Sequence, residues 1–171
     1  MREKHDSPAE FFDAAEKAMN VALKRGVKII INDRVDIAIA LQADGVHLGQ
    51  DDLSPREART LLSESAIIGY STHSVEQAIE AIKLPIDYIA IGPAFETTTK
   101  LNPDAVVGMD GLRRVRNAIG KFPLVAIGGI SLANLRSVFD AGADSAAIIG
   151  ALLSDTDEIG RRMRDLSDLR P

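Results

Sequence analysis

The sequence predicts an α/β domain of the TIM (β/α)8-barrel family, here an incomplete barrel with six parallel strands and alternating helices. Three observations predict it. Short β-branched runs alternate with helix-length segments; polar residues cluster just after those runs; and glycines, Gly128-Gly129 and Gly150, follow the last two. Such alternation implies right-handed crossovers and a parallel sheet, whose sites lie at the C-terminal ends of the strands. Glycine-rich loops after the last two strands suit the phosphate site of a barrel better than the single crevice of a doubly wound sheet.

The elements follow in chain order. Ser7-Pro8 offers an N-cap and a first-turn proline to a helix over 9–25, where Phe11, Phe12, Ala15, Met19, Val21 and Leu23 fall roughly at helical spacing before Gly26 ends it. Residues 27–31, Val-Lys-Ile-Ile-Ile, are a strand of the buried parallel type. A helix over 35–41 and a strand over 45–48 come next, followed by a helix over 54–63 opened by Ser54-Pro55 and a strand over 67–70. The second half has a helix over 74–82, a strand over 88–91, a long loop through Pro103 and a helix over 109–119. A strand over 123–127, a helix over 131–141, a strand over 145–149 and a helix over 155–166 close the chain. A full barrel has eight strands and usually at least ~200 residues, so two strands are missing from this pattern.

Composition bounds the function. With 171 residues and 46% hydrophobic content, one core and one domain over 1–171 are expected. Lys and Arg total 20 against 25 Asp and Glu, a net charge of −5 without a long basic run, which argues against a nucleic-acid partner. Anionic ligands must be held locally. The absence of cysteine excludes disulfides, thiolate metal sites and thiol nucleophiles. No apolar run approaches the ~18 residues that span a bilayer, and the opening residues lack a signal peptide's apolar stretch, so a cytoplasmic protein without a membrane partner is expected.

The strand ends carry the candidate site. Asp33 and Asp52 follow neighbouring strands, and two such carboxylates suit an octahedral cation that keeps waters and touches phosphate; the plainer reading is a helix cap and a solvated loop acid. Thr97-Thr98-Thr99-Lys100 offers hydroxyls and one ammonium for a polyphosphate, or is an ordinary loop. Gly128-Gly129 and Gly150 lead toward helix starts whose amides can bind a phosphate monoester, or are only tight turns. Arg2 and Lys4 point the same way in an extended chain, toward an anion or simply into solvent. His73 is a base or a hydrogen-bonded structural residue, and His47 packs or bonds within the sheet.

The segments Arg2-Glu-Lys4, Ile31-Asn-Asp-Arg34, Gly45-Val-His-Leu-Gly-Gln-Asp-Asp52, Gly69-Tyr-Ser-Thr-His73, Gly92-Pro-Ala-Phe-Glu-Thr-Thr-Thr-Lys100 and Val125-Ala-Ile-Gly-Gly-Ile130 together resemble the thiamine-phosphate synthase family, in order and across nearly the whole chain. The resemblance implies a transferase that joins 4-amino-5-hydroxymethyl-2-methylpyrimidine diphosphate to 4-methyl-5-(2-phosphooxyethyl)thiazole, releasing pyrophosphate by a dissociative route. It implies Mg2+ on Asp33 and Asp52. Arg2, Lys4, Asn32, Ser71, Thr97, Thr99 and Lys100 would surround the pyrimidine diphosphate, with Ser71, Thr97, Thr99 and Lys100 assisting the chemistry. Gly129, Ile149 and Gly150 would hold the thiazole's phosphate. Against the family pattern, the first strand, first helix and most of the second strand are lacking, together with a Gln two residues before Arg2, and Gly150 stands where Ser is common. A longer natural chain, or a homo-oligomer covering the open barrel edge, would complete the sheet. The alternatives are a thiazole tautomerase-like isomerase and a non-catalytic barrel that only binds a phosphate ligand.

Overall fold

The computed structural model describes residues 7–97 and 104–169. Within them six parallel strands alternate with helices, the barrel-family pattern that the sequence predicts. The chain divides into two compact units, Met1–Ser71 with Leu84–Asp87, and Thr72–Lys83 with Tyr88–Pro171.

In the first unit α1 (Pro8–Leu23) starts at a capping box: Ser7 Oγ accepts from the Glu10 N–H and the Glu10 carboxylate accepts from the Ser7 N–H. Phe11, Ala15 and Ala22 form its buried stripe. Strands β1 (Ile30–Asn32), β2 (Gly45–Leu48) and β3 (Ile67–Thr72) pair in that order, with Ile30 opposite Gly45 and Gly45 opposite Ile67. Between them run α2 (Val35–Leu41) and α3 (Pro55–Leu61). Alternation along β2 buries Val46 and Leu48 on one face and leaves His47 half-buried on the other.

The second unit contains α4 (Val75–Ala81), β4 (Tyr88–Ile91), α5 (Gly108–Ile119), β5 (Leu124–Ile127), α6 (Leu135–Asp140), β6 (Ser145–Ala147), α7 (Gly150–Leu153) and α8 (Ile159–Ser167). Its strands pair in parallel, β4 with β5 and β5 with β6. Helix α5 buries Leu112, Val115 and Ile119 at i, i+3 and i+7, each worth about 2 kcal/mol of apolar burial. Thr72, the last residue of β3, lies in this unit, where its hydroxyl donates to the Ala90 carbonyl and its carbonyl accepts from the Gly92 N–H.

An aspartate stands immediately before every second strand. Asp44 accepts from the Ile29 N–H, Asp87 from Ile68 and Asp144 from Leu124, at 2.7 to 2.8 Å. An arginine from a nearby helix completes two of these sites. Arg59 reaches Asp87 and the Ala66 carbonyl, and Arg116 reaches Asp144 and the carbonyls of Gly120, Phe122 and Gly142.

Among the element boundaries that differ from expectation, four bear on how the strand ends are built. The first strand starts at Ile30, not residue 27, because β2 begins only at Gly45 and the Ile29 N–H goes to Asp44 instead of a ladder. Helix α6 starts at Leu135, not 131, because the Asn134 carboxamide accepts from the Ser131 N–H and closes a turn first. The last strand stops at Ala147, and Ile149 (φ −120°, ψ −70°) leads into α7. The closing helix is a 3-10 turn (Thr156–Glu158) followed by α8, since the Asp155 carboxylate binds the Asp157 N–H.

Arg116 is the most heavily bonded of these arginines, with a side chain only 19% exposed. Arg116→Met strands three carbonyls and one carboxylate, and should lower the unfolding free energy by about 3 kcal/mol in urea melts.

Candidate functional site

In the first unit the chain turns sharply at the end of β1. Asp33 adopts a left-handed conformation (φ 63°), which non-glycine residues other than Asn and Asp rarely take. Its N–H donates to the His47 carbonyl at 2.8 Å, and the Arg34 N–H reaches back to Asn32 O at 2.7 Å. The side chain of Asp33 is therefore delivered from a backbone fixed on both sides, beside half-buried Asn32. Strain of this kind clusters at functional sites.

Asp52 is equally constrained. Its Oδ2 accepts from the Gly49 N–H at 2.6 Å, which closes the loop after β2 and orients the carboxylate. Its negative charge is felt at both His47 and Tyr70. Burial, with a small contribution from Asp52 and Asp51, pushes the Tyr70 phenol above its ordinary range. His47 Nε2 lies 2.8 Å from Ser71 Oγ, and burial lowers the imidazole to about 4 although the nearby Asp52 opposes it. His47 bonds within the sheet, as expected, and it is neutral at pH 7. Ser71 is held from its other end too, since the Gln50 side-chain amide donates to its carbonyl. This unit thus brings together the surroundings of Asn32, Asp33, Asp52 and Ser71.

No group of three or more His, Cys, Asp or Glu side chains that could hold a metal occurs among the described residues. Magnesium takes one or two carboxylates and completes its octahedron with waters and substrate oxygens, and Asp33 and Asp52 carry hard oxygen donors of that type.

In the second unit the residues after β4 continue along β5: the Ala94 N–H binds Ile127 O, and the Phe95 N–H binds Gly128 O. Gly128 (φ 97°) and Gly129 (φ 64°) lie against this loop, and a Cβ on Gly129 would collide with the Glu96 carbonyl and Phe95. The glycines are required sterically, whatever else their amides bind. Asn134 Nδ2 donates to Gly129 O. Because α6 begins at Leu135, six residues after Gly129, the expected helix N-terminus directly behind the glycine pair is replaced by a turn. Thr97 is half-buried, Ile149 is 41% exposed, and Gly150 is the first residue of α7. Arg2, Lys4, Thr99 and Lys100 lie outside the described residues.

Gln50 and Asn134 are side chains at these strand ends that sequence reasoning missed. Asn134 had a readable signal, an N-cap residue directly before Leu135. Gln50 had none, because its partner is distant in sequence.

Parallel strands and alternating helices with polar residues at the strand ends define an enzyme domain of the (β/α)-barrel class. The family described as thiamine monophosphate synthase matches residues 1–152. The thiamine-phosphate synthase of Koribacter versatilis is 51% identical over 90% of this chain and 72% of its own length. That of Syntrophomonas wolfei is 43% identical over 97% of this chain and 80% of its own. The solved thiamine phosphate pyrophosphorylase from Pyrococcus furiosus superposes with a TM-score of 0.88 at 33% identity, over 99% of this chain and 80% of that one. The chain belongs to the thiamine monophosphate synthase family.

Two measurements check the site. In metal-free buffer native His47 binds a proton only near pH 4, and the unfolded chain near the ordinary 6.5. Between these values the unfolded state holds more protons, so stability falls as pH drops, by at most about 1.4 kcal/mol per pH unit from this group. His47→Gln should flatten that slope between pH 6.5 and 5 in urea melts; an unchanged slope would contradict the assignment. Gly129→Ala, forced against Glu96 and Phe95 at positive φ, should destabilise the fold by about 2 kcal/mol or more by the same measurement.

Proposed function

We propose that this chain joins 4-amino-5-hydroxymethyl-2-methylpyrimidine diphosphate to 4-methyl-5-(2-phosphooxyethyl)thiazole. The observation that carries the reading is the pair of constrained carboxylates: Asp33 at a strained strand end and Asp52 clamped by the Gly49 amide. Neither arrangement is needed to cap a helix. Arg34, not Asp33, precedes α2, and α3 starts after Ser54.

The chemistry is a heterolysis. The carbon–oxygen bond between the pyrimidine methylene and the diphosphate breaks with its electron pair leaving on pyrophosphate, and the thiazole nitrogen lone pair then forms the new carbon–nitrogen bond. No protein nucleophile is required. Asp33 and Asp52 would hold magnesium, which would supply charge neutralisation to the departing diphosphate. By the resemblance to the family, Ser71, Thr97 and Thr99 would supply hydroxyls, and Arg2, Lys4 and Lys100 cations, to the same charge. Preorganised donors aimed at developing charge are the largest source of catalysis for such a step. Gln50 and neutral His47 orient Ser71 without competing for the diphosphate as an ion. In the second unit Gly129, Ile149 and Gly150 offer backbone N–H groups to the thiazole's phosphate, with no serine hydroxyl at position 150. Among the described residues no helix is long and apolar enough to cross a membrane, and small soluble phosphorylated substrates suit a cytoplasmic enzyme.

The test is formation of thiamine phosphate from both substrates with Mg2+. Asp52→Ala should reduce turnover at least about 100-fold at fixed Mg2+, the scale expected when a site's electrostatic stabiliser is removed. Retention of full Mg2+-dependent turnover would remove Asp52 from the site. Binding of the thiazole phosphate without turnover by the unaltered chain would favour a non-catalytic barrel instead.

A further inference from the structure

The backbone of Ile149 and Gly150 belongs to a segment that packing holds only loosely. Strand β6 stops at Ala147, α7 has no buried residue, and Leu153 is 55% exposed. The internal bonds of α7 make a single turn: the Leu152 and Leu153 N–H groups reach Ile149 O, and the Ser154 N–H reaches Gly150 O. They leave the Ala151 carbonyl without a backbone donor among the described residues. The donor comes from α8. Arg162 Nη1 lies 3.3 Å from Ala151 O and 2.6 Å from Ser154 Oγ, so one guanidinium nitrogen clasps the last turn of α7.

The place of Arg162 on α8 turns it inward. Ile159, Arg162 and Leu166 recur at helical spacing and are half-buried, while Gly160, Arg161 and Met163 are exposed. On the exposed side Arg161 pairs with Glu158 and Asp165. Arg162 instead stands within the inward stripe, and both of its acceptors are uncharged oxygens. The contact is therefore a directional, charge-assisted hydrogen bond and not a solvent-screened ion pair.

We infer that Arg162 is a positioning residue: by clasping Ala151 and Ser154 it holds α7 to α8 and thereby sets the N–H groups of Ile149 and Gly150 for the thiazole's phosphate. The functional half of the statement rests on the proposed phosphate reading; the structural half does not. Backbone amides bind a phosphate only when they are fixed relative to one another, and Gly150 brings no hydroxyl that could follow the ligand if the turn shifts. Arg162 acts through this backbone and needs no contact of its own with the phosphate.

Arg162→Met keeps the aliphatic stem and removes the donor, whereas Arg162→Lys keeps one nitrogen able to donate to both oxygens. The test combines hydrogen–deuterium exchange of a peptide covering 149–154 with calorimetric binding of 4-methyl-5-(2-phosphooxyethyl)thiazole and of its unphosphorylated alcohol. In Arg162→Met, exchange should quicken, and Kd for the phosphorylated thiazole should rise about fivefold, the scale of one lost hydrogen bond, while Kd for the alcohol stays within about twofold. Arg162→Lys should recover most of both effects. Ser154→Ala removes the shorter bond and leaves Arg162 in place, and it should change exchange and affinity in the same direction even if Arg162→Met fails to fold. A general loosening of the fold weakens both thiazoles alike, so an equal rise in the two Kd values overturns the inference. Unchanged exchange, faster exchange with an unchanged preference for the phosphorylated ligand, or a Lys variant as impaired as Met does so too. If the unaltered chain does not prefer the phosphorylated thiazole, the phosphate reading fails by itself, and the exchange result still decides whether Arg162 holds α7.

Discussion

The fold depends on a carboxylate that accepts a backbone N–H from the neighbouring strand at its entry. Asp44, Asp87 and Asp144 do this before β2, β4 and β6, and charge-assisted bonds of this kind are stronger than neutral ladder bonds. They lie at the N-terminal ends of the strands, and within the two units they fix where the pairs β1–β2 and β5–β6 begin. A slip of one residue would turn His47 and Ser71 to the opposite face. The functional ends of the strands are therefore aligned from their far ends, with Arg59 and Arg116 holding two of the three aspartates in place.

Once register is set, the site in the first unit is built by restricting what each polar group can do. Asp33 is committed by its backbone, Asp52 by the Gly49 amide and Ser71 by contacts at both its hydroxyl and its carbonyl. Desolvation keeps His47 uncharged beside them. Asp33 and Asp52 thus stand in a setting where both residues are held by the backbone.

Much of this was legible from residue order. Alternating β-branched runs and helical stripes located all six strands, because parallel strands buried against helices are continuously apolar and bounded by Gly, Asn and Asp. The exceptions are instructive. Val27 and Lys28 look like strand residues, yet register gives them no partner, and register is a tertiary property. Ser131 looks like a helix start, but the competing side chain is three residues later, at Asn134. At the site, residue type and position pointed to Asp33, Asp52 and Ser71, whereas Gln50 was silent because an amide reaching a carbonyl 21 residues away leaves no local pattern. The glycine pair was noticed for its amides, and its steric role appears only when the loop after β4 is seen lying on it.

That contact has a consequence for engineering. The backbone of Pro93–Glu96 occupies the volume that any side chain at 128 or 129 would need, so the two loops are a lock and its matching recess. Grafting a different substrate loop onto β4 without its cognate turn after β5 would produce a chimera that clashes, and recombination between relatives should keep these two segments from the same parent.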